Sequence, residues 1–382
     1  MRGTLLCRAA SLAALVFASS APAPARAGVS NPDISVIGQP FARWTDDAAD
    51  PGRRRFRLDA GETEFIFDAA LNPYARGTIV ASMGGEGAAV EEGFFTMTRG
   101  LPLGLALKGG KYRAGFGRLN ALHPHTYPFA ERFRVLAEYL PGEESFNETG
   151  VQLSEQLALP GGVALTASAD WLQGDSFRVP RADSGAPDDP LASGGDDRAA
   201  EPRPAALGRL ASFVQVGERS GVELGASFAR GTNNVAAGTL TTLAGADVKA
   251  KLWNSPLSYL LLQGEFVALD REDAAWDEAA GAYAKTRVKP SGFYAYADYA
   301  FKTRYDAGVS FERWQPAGGG PGWNHAIGAF AGLALMEETT VFRAGVERLQ
   351  PAGPPGGPEP DAVHTFTLRV VYSMGPHKAH QF

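Results

Sequence analysis

Histidine is the side chain with the widest choice of chemistry near neutral pH, and this chain of 382 residues carries six, unevenly spaced. His123 and His125 flank a proline in a long aromatic stretch, residues 116–148, that also holds Arg118, Asn120, Glu131, Arg132 and Glu138. Imidazole suits zinc and copper. His123 and His125 are the candidate metal ligands, with His325 and His364 expected at the same mouth and Glu131 and Glu138 near in sequence. Solvated rim histidines are the competing expectation, favoured because His-x-His on a loop enforces no tetrahedral geometry. No cofactor is otherwise expected. A hydrolase would need a nucleophile or paired acids beside a histidine. Ser310 with His325, or the loop acids with His125, are conceivable pairs, but no nucleophile motif surrounds them. No catalytic residue is assigned, and the chain is not read as an enzyme. The one cysteine, Cys7, lies near the start, so thiolate chemistry and disulfides are not expected in the folded part.

The elements that would position these groups show a period of two. In residues 365–374, Phe366, Leu368, Val370, Tyr372 and Met374 share one face, while Thr365, Thr367, Arg369, Val371 and Ser373 share the other. Residues 62–71, 163–171, 222–229 and 305–312 repeat the alternation. Such strands put one face toward lipid and the other toward a polar interior. The inward set is then Glu62, Glu64, Asp68, Asp170, Glu223, Asp247, Glu265, Asp298, Asp306 and Glu312, with Arg76, Lys108, Arg209, Lys249, Lys251, Arg343 and Arg369. Both signs occur with acid in excess, which predicts a mild cation preference for any passage they line.

Further strands are expected near 76–83, 90–98, 103–115, 149–159, 207–217, 239–252, 257–269, 293–301, 325–336 and 339–349. Short turn signals, such as Asn72-Pro73-Tyr74 and Pro160-Gly161-Gly162, alternate with long connectors at 116–148, 175–206, 231–238, 270–292, 315–324 and 350–362. Tight turns at one end and long loops at the other are the habit of transmembrane barrels. These segments make fifteen strands. An even number requires one more, which Asp33–Trp44 can supply. The expected fold is all-β: a transmembrane antiparallel barrel of sixteen strands, fourteen as alternative, with no plug domain.

The ends fit that reading. Arg2 and Arg8, the apolar run Leu12 to Ala18, and Ala25-Arg26-Ala27 read as a signal peptide over residues 1–27. The expected organisation continues with an N-terminal strand and loop at 28–61, a β-barrel at 62–374 and a tail at 375–382. Cleavage would leave the 36 basic residues less Arg2, Arg8 and Arg26, against 42 acidic, a formal charge of −9. Nucleic-acid binding is not expected from that balance. Phe366 and Tyr372 within the last strand, and Phe382 at the end, are the candidate signal for barrel assembly.

Two stretches carry a resemblance. Gly110-Lys111-Tyr112-Arg113-Ala114-Gly115-Phe116-Gly117-Arg118-Leu119-Asn120, with His123-Pro124-His125 and Pro128-Phe129-Ala130-Glu131-Arg132, resembles a proteobacterial outer-membrane family labelled porin-like or zinc-regulated TonB-dependent outer membrane receptor. Asn72-Pro73-Tyr74-Ala75-Arg76, Glu91-Glu92, Gly150-Val151-Gln152-Leu153-Ser154 and the tail from Met374 fit the same pattern. The Gly-Lys-aromatic-Arg and Phe-x-Glu-Arg parts are also similar to the phosphate-selective porin superfamily. The receptor label implies a plug of about 150 residues before a 22-stranded barrel, yet alternation here begins by residue 62. Phosphate selectivity implies a basic ladder, which the inward set lacks. By analogy with porins, the 116–148 loop would fold inward, making Arg118, Asn120, His123, His125, Glu131 and Arg132 the candidate constriction; an external loop packed on the rim is the equal alternative.

The expectation is therefore a porin-like channel in the outer membrane of a Gram-negative cell, passing small solutes or ions by passive transport. A closed or metal-binding barrel linked to zinc uptake is the alternative, and a rim-active hydrolase a remoter one. Outer-membrane lipid, lipopolysaccharide and the barrel assembly machinery are the expected partners. The solute and the oligomeric state are left open.

Overall fold

The computed structural model describes residues 32–375, apart from residues 86, 143–144, 179–200, 278, 336–338 and 355. Residues 1–27, and His377, His380 and Phe382 of the tail, lie outside the described residues. Nineteen stretches of ladder form sixteen strands, because three strands are interrupted. They are β1 (Asp33–Gly38 and Phe41–Thr45), β2 (Arg57–Asp59 and Thr63–Ala70), β3 (Ala75–Gly84), β4 (Gly87–Met97), β5 (Ala106–Arg113), β6 (Asn147–Leu159), β7 (Val163–Leu172) and β8 (Ala205–Val216). The second half comprises β9 (Ser220–Asn234), β10 (Thr239–Ser255), β11 (Ser258–Asp277), β12 (Ala282–Val288 and Ser291–Phe301), β13 (Tyr305–Trp314), β14 (Asn324–Ala334), β15 (Thr340–Gln350) and β16 (Val363–Met374).

Each strand pairs antiparallel with its chain neighbours, and β16 closes the barrel on β1, with Val36 opposite Met374 and Thr45 opposite Thr365. Closure satisfies every edge, which a sheet in hydrocarbon requires. No described helix is long and apolar enough to cross a membrane; strands cross instead. Two interruptions fall at Pro40 and Pro290, which lack an N–H for the ladder. Their carbonyls still accept bonds, from Val370 at 2.9 Å and from Leu269 at 3.0 Å.

The side-chain alternation runs as the sequence predicts. On β16, Leu368 and Tyr372 are 45% and 38% exposed, whereas Thr367 and Val371 are buried inside. Leu210, Leu224, Phe228, Phe266, Val309, Ile327 and Val346 add to the apolar outer face. Two of the predicted long connectors need correction. Residues 231–234 and most of 270–292 are strand, since β9, β10 and β11 run 15, 17 and 20 residues. A crossing needs only about 9–11, so these hairpins project beyond the membrane. Asp33–Trp44 does serve as the first strand, and Arg57–Asp59 extends β2 into the segment read as loop.

Candidate pore constriction

The connector from β5 to β6 turns into the barrel. Its ends are held together where the Ala114 N–H donates to the Phe146 carbonyl at 2.8 Å. Asn120, 1% exposed, secures this neck. Its amide donates to the carbonyls of Ala114 and Phe146 at 2.8 and 2.9 Å, and its oxygen accepts from Phe146 N at 3.0 Å and from Arg132 at 2.8 Å. Beyond the neck lie two 3-10 turns, Leu119–Ala121 and Pro124–Thr126, and a six-residue helix, α1 (Arg134–Tyr139).

Wall carboxylates grip this loop from several sides. Glu265 on β11 accepts from the backbone N–H groups of Arg118 and Leu119 at 2.9 and 2.7 Å, and from the Tyr294 hydroxyl at 2.6 Å. Gly117 has φ +63°, and a Cβ there would lie 2.0 Å from the Glu265 carboxylate, so only glycine fits. Glu312 on β13 accepts from the N–H groups of Arg134 and Val135 at 2.7 and 3.3 Å, capping α1 in place of a local side chain. It also pairs with the Arg134 guanidinium at 2.8 Å, which reaches Glu347 as well. Arg118 pairs with Glu223, and Glu131 with Arg43 at 3.4 Å.

The two histidines meet one acid. Glu64, wholly buried, lies 3.1 Å from Nδ1 of both His123 and His125, whose rings stack 5.8 Å apart. Glu91 and Glu92 stand 3.6 and 3.9 Å from His123, and Glu91 pairs with Arg113 at 2.8 Å. Burial alone would lower the His123 pKa, but its contacts with Glu64 and then Glu92 raise it to about 9. These carboxylates favour the imidazolium form of His123. Among the described residues, no group of three or more His, Cys, Asp or Glu side chains is arranged to hold a metal. His364 pairs with Asp46 at 3.0 Å on the outer side, away from this cluster's partners. The conceivable pair Ser310 and His325 fails on geometry. Ser310 faces Gly328 across the ladder on the inner face, while His325 sits one residue out of that alternation, on the outer face.

Under these polar contacts lies an apolar core. Phe116, Phe129, Phe133, Val135, Leu136 and Phe146 of the loop bury against Leu172, Leu207, Leu243, Val267, Tyr294 and Phe330 of the wall. Phe133 stacks on Tyr294 with centroids 4.1 Å apart. The loop reaches β1, β2, β4, β9, β11, β13 and β15 through ion pairs and hydrogen bonds. Against Ser310, Gly328, Gly345 and Thr367 a slot of about 40 Å³ remains beside Glu131 and Arg132.

All six predicted constriction residues lie in this inward segment. The predicted lumen residues point inward, but with a different consequence from the expected one. Glu64, Glu223, Glu265 and Glu312 engage the loop, and other inward charges pair along the wall: Arg209 with Asp247 at 2.6 Å, Arg76 with Asp68, and Asp170 with the Tyr112 hydroxyl at 2.8 Å. Lys108 lies 4.6 Å from the Phe94 ring centre. Glu62, Lys249, Asp298, Asp306, Arg343 and Arg369 complete the inner face. The acid excess is therefore not a bare acidic lining. Glu91, Glu92, Arg113 and Arg134 also make contacts in this cluster of loop and wall, as does Glu138 with the Trp314 indole N–H at 2.6 Å, and the alternation did not point to them. Two adjacent glutamates cannot both face inward on a regular strand. A bulge makes it possible here, since Val80 opposes Glu92 and Ala81 opposes Val90, leaving Glu91 as the extra residue.

No family model matches the chain. An uncharacterized protein of Aquifex aeolicus is 29% identical over 278 residues, covering 68% of this chain and 54% of that protein, so the chain spans about half the length of this relative. In fold it is similar to the anion-selective porin from Comamonas acidovorans, with TM-score 0.56, 11% identity and coverage of 90% of this chain and 99% of that one. A loop-deletion mutant of OmpT from Vibrio cholerae gives 0.55 at 10% identity, covering 90% and 100%. OmpF of Salmonella typhi, in complex with daunomycin, gives 0.55 at 11%, covering 90% and 98%. The likenesses are to porins, and the TonB-dependent receptor label finds no support among them. A closed sixteen-stranded antiparallel barrel with an apolar outside and the porin fold is an outer-membrane barrel.

Proposed function

We propose that the protein is a passive diffusion channel for small solutes or ions, narrowed by its inward loop. One observation carries the reading. A loop gripped by wall carboxylates crosses the lumen and leaves a narrow slot at Gly328 and Gly345, with a wider cavity beneath it. The porin fold supports it. In this reading Arg118, Asn120, His123, His125, Glu131 and Arg132 shape and hold the constriction, and Glu131 and Arg132 border the slot itself.

Planar-bilayer recording of the wild type and of a loop-less form tests this. The bond between Ala114 and Phe146 means that a short Gly-Ser turn can replace residues 115–145. The wild type should give a small, steady conductance. The loop-less barrel should conduct several-fold more and prefer cations, because Glu64, Glu265 and Glu312 would then face water without their loop partners. A silent wild type beside a conducting loop-less form would replace this reading with a barrel closed at rest.

A further inference from the structure

Beneath the loop the lumen widens into a cavity of about 480 Å³ on the side of the short turns, which is the periplasmic end of such barrels. That volume lies in the range of small-molecule sites. Its wall has an ordered chemistry. Lys249, Lys251 and Trp253 follow one another down the inner face of β10, and the register places Tyr259 opposite Trp253 and Leu261 opposite Lys251 on β11. The Lys251 ammonium lies 4.5 Å from the Tyr259 ring centre and 5.1 Å from that of Trp253, and the two rings are 4.9 Å apart. Elsewhere in the cavity Arg304 and Arg343 accompany Asp298 and Asp306, so four cations line it against two carboxylates. The roof is the loop's underside, with Leu122 and Tyr127.

Two lysines on one face of a strand, two residues apart in a confined lumen, raise the local potential and draw anions. Lys249 stands opposite Glu223 across the ladder and Lys251 lies over the two rings, so an anion would add to contacts the lysines already make. Salt would not use the adjoining rings and apolar roof, which offer apolar surface to an apolar body. A ligand that uses both halves has an anionic head and a ring. We propose that this vestibule binds a small aromatic carboxylate, with its carboxylate at Lys249 and Lys251 and its ring against Trp253 and Tyr259. The proposal rests on the channel reading only for how the ligand arrives and leaves.

Equilibrium binding to the full chain refolded in detergent micelles tests it without transport. The probe is labelled benzoate at low ionic strength, with acetate (head without ring) and benzyl alcohol (ring without charge) as competitors. Benzoate should bind saturably, and each competitor should be at least tenfold weaker. Lys249→Gln with Lys251→Gln should weaken benzoate at least tenfold. Trp253→Ala should weaken it while leaving acetate unchanged. Absent or non-saturable benzoate binding, benzoate no tighter than either competitor, or unchanged affinity in the lysine variant would each overturn the proposal. Should the lysine variant not fold, the three-ligand comparison on the wild type decides. A wild type that conducts yet does not bind benzoate sinks only this proposal, and one that binds benzoate yet never conducts sinks only the channel reading.

Discussion

At the scale of single residues, His123 ties the loop to the wall through a charge that pH can remove. It faces Glu64, Glu91 and Glu92, with Arg113 and His125 beside it. Its pKa in the folded protein, about 9, lies above the 6.5 of the free side chain, so folding binds the proton more tightly. The stabilisation is complete below pH 6.5 and is lost as pH rises through about 9. The urea midpoint of the refolded barrel should therefore fall between pH 6.5 and 9, and His123→Gln should flatten that fall. An identical slope in the variant, or a midpoint rising across the window, would count against the assignment.

Among the elements, the closing strand makes the alternation measurable. Leu368 faces lipid and Arg369 the interior, so Leu368→Arg should destabilise the barrel by about 2–4 kcal/mol if the site lies near mid-depth, as read from unfolding in lipid vesicles. A change within a few tenths of a kcal/mol would mean the register is off by one residue. This strand was fully legible in the sequence because nothing competes with its period of two. The strand order was legible too, since chain neighbours pair throughout. The projecting hairpins at 231–238 and 270–292 were not. Above the membrane a strand no longer needs an apolar outer face, so Arg271, Glu272, Asp273, Lys285 and Arg287 read as loop although they pair across a ladder. The inward fold of the 116–148 segment was reached by analogy, but what anchors it was hidden. Glu265 and Glu312 lie more than 140 residues from their loop partners, and local pattern carries no such distance. The bulge at Glu91 was equally silent, because two glutamates in succession read as a break in the pattern.

At the scale of the whole molecule, the path through the barrel can be tested by closing it. A Cβ built on Gly345 lies 3.5 Å from that of Ala130, both lining the slot, within the range of about 3.5–4.5 Å that a disulfide spans. The chain's one cysteine is Cys7, so a form lacking residues 1–27 with Ala130→Cys and Gly345→Cys offers a single possible bridge. Oxidation should lower its conductance and reduction restore it; current unaffected by oxidation would place the path elsewhere. The same loop bears on mechanical integrity. The seam where β16 meets β1 rests on two short stretches of ladder, with Pro40 between them. On the β1 and β2 side the loop holds Arg43 through Glu131 and Glu64 through His125, and on the far side it holds Glu347 through Arg134. A brace fixed to both sides of the one joint made between the chain's first and last strands resists lateral opening, so a barrel stripped of its loop should part into the bilayer at that joint before any other.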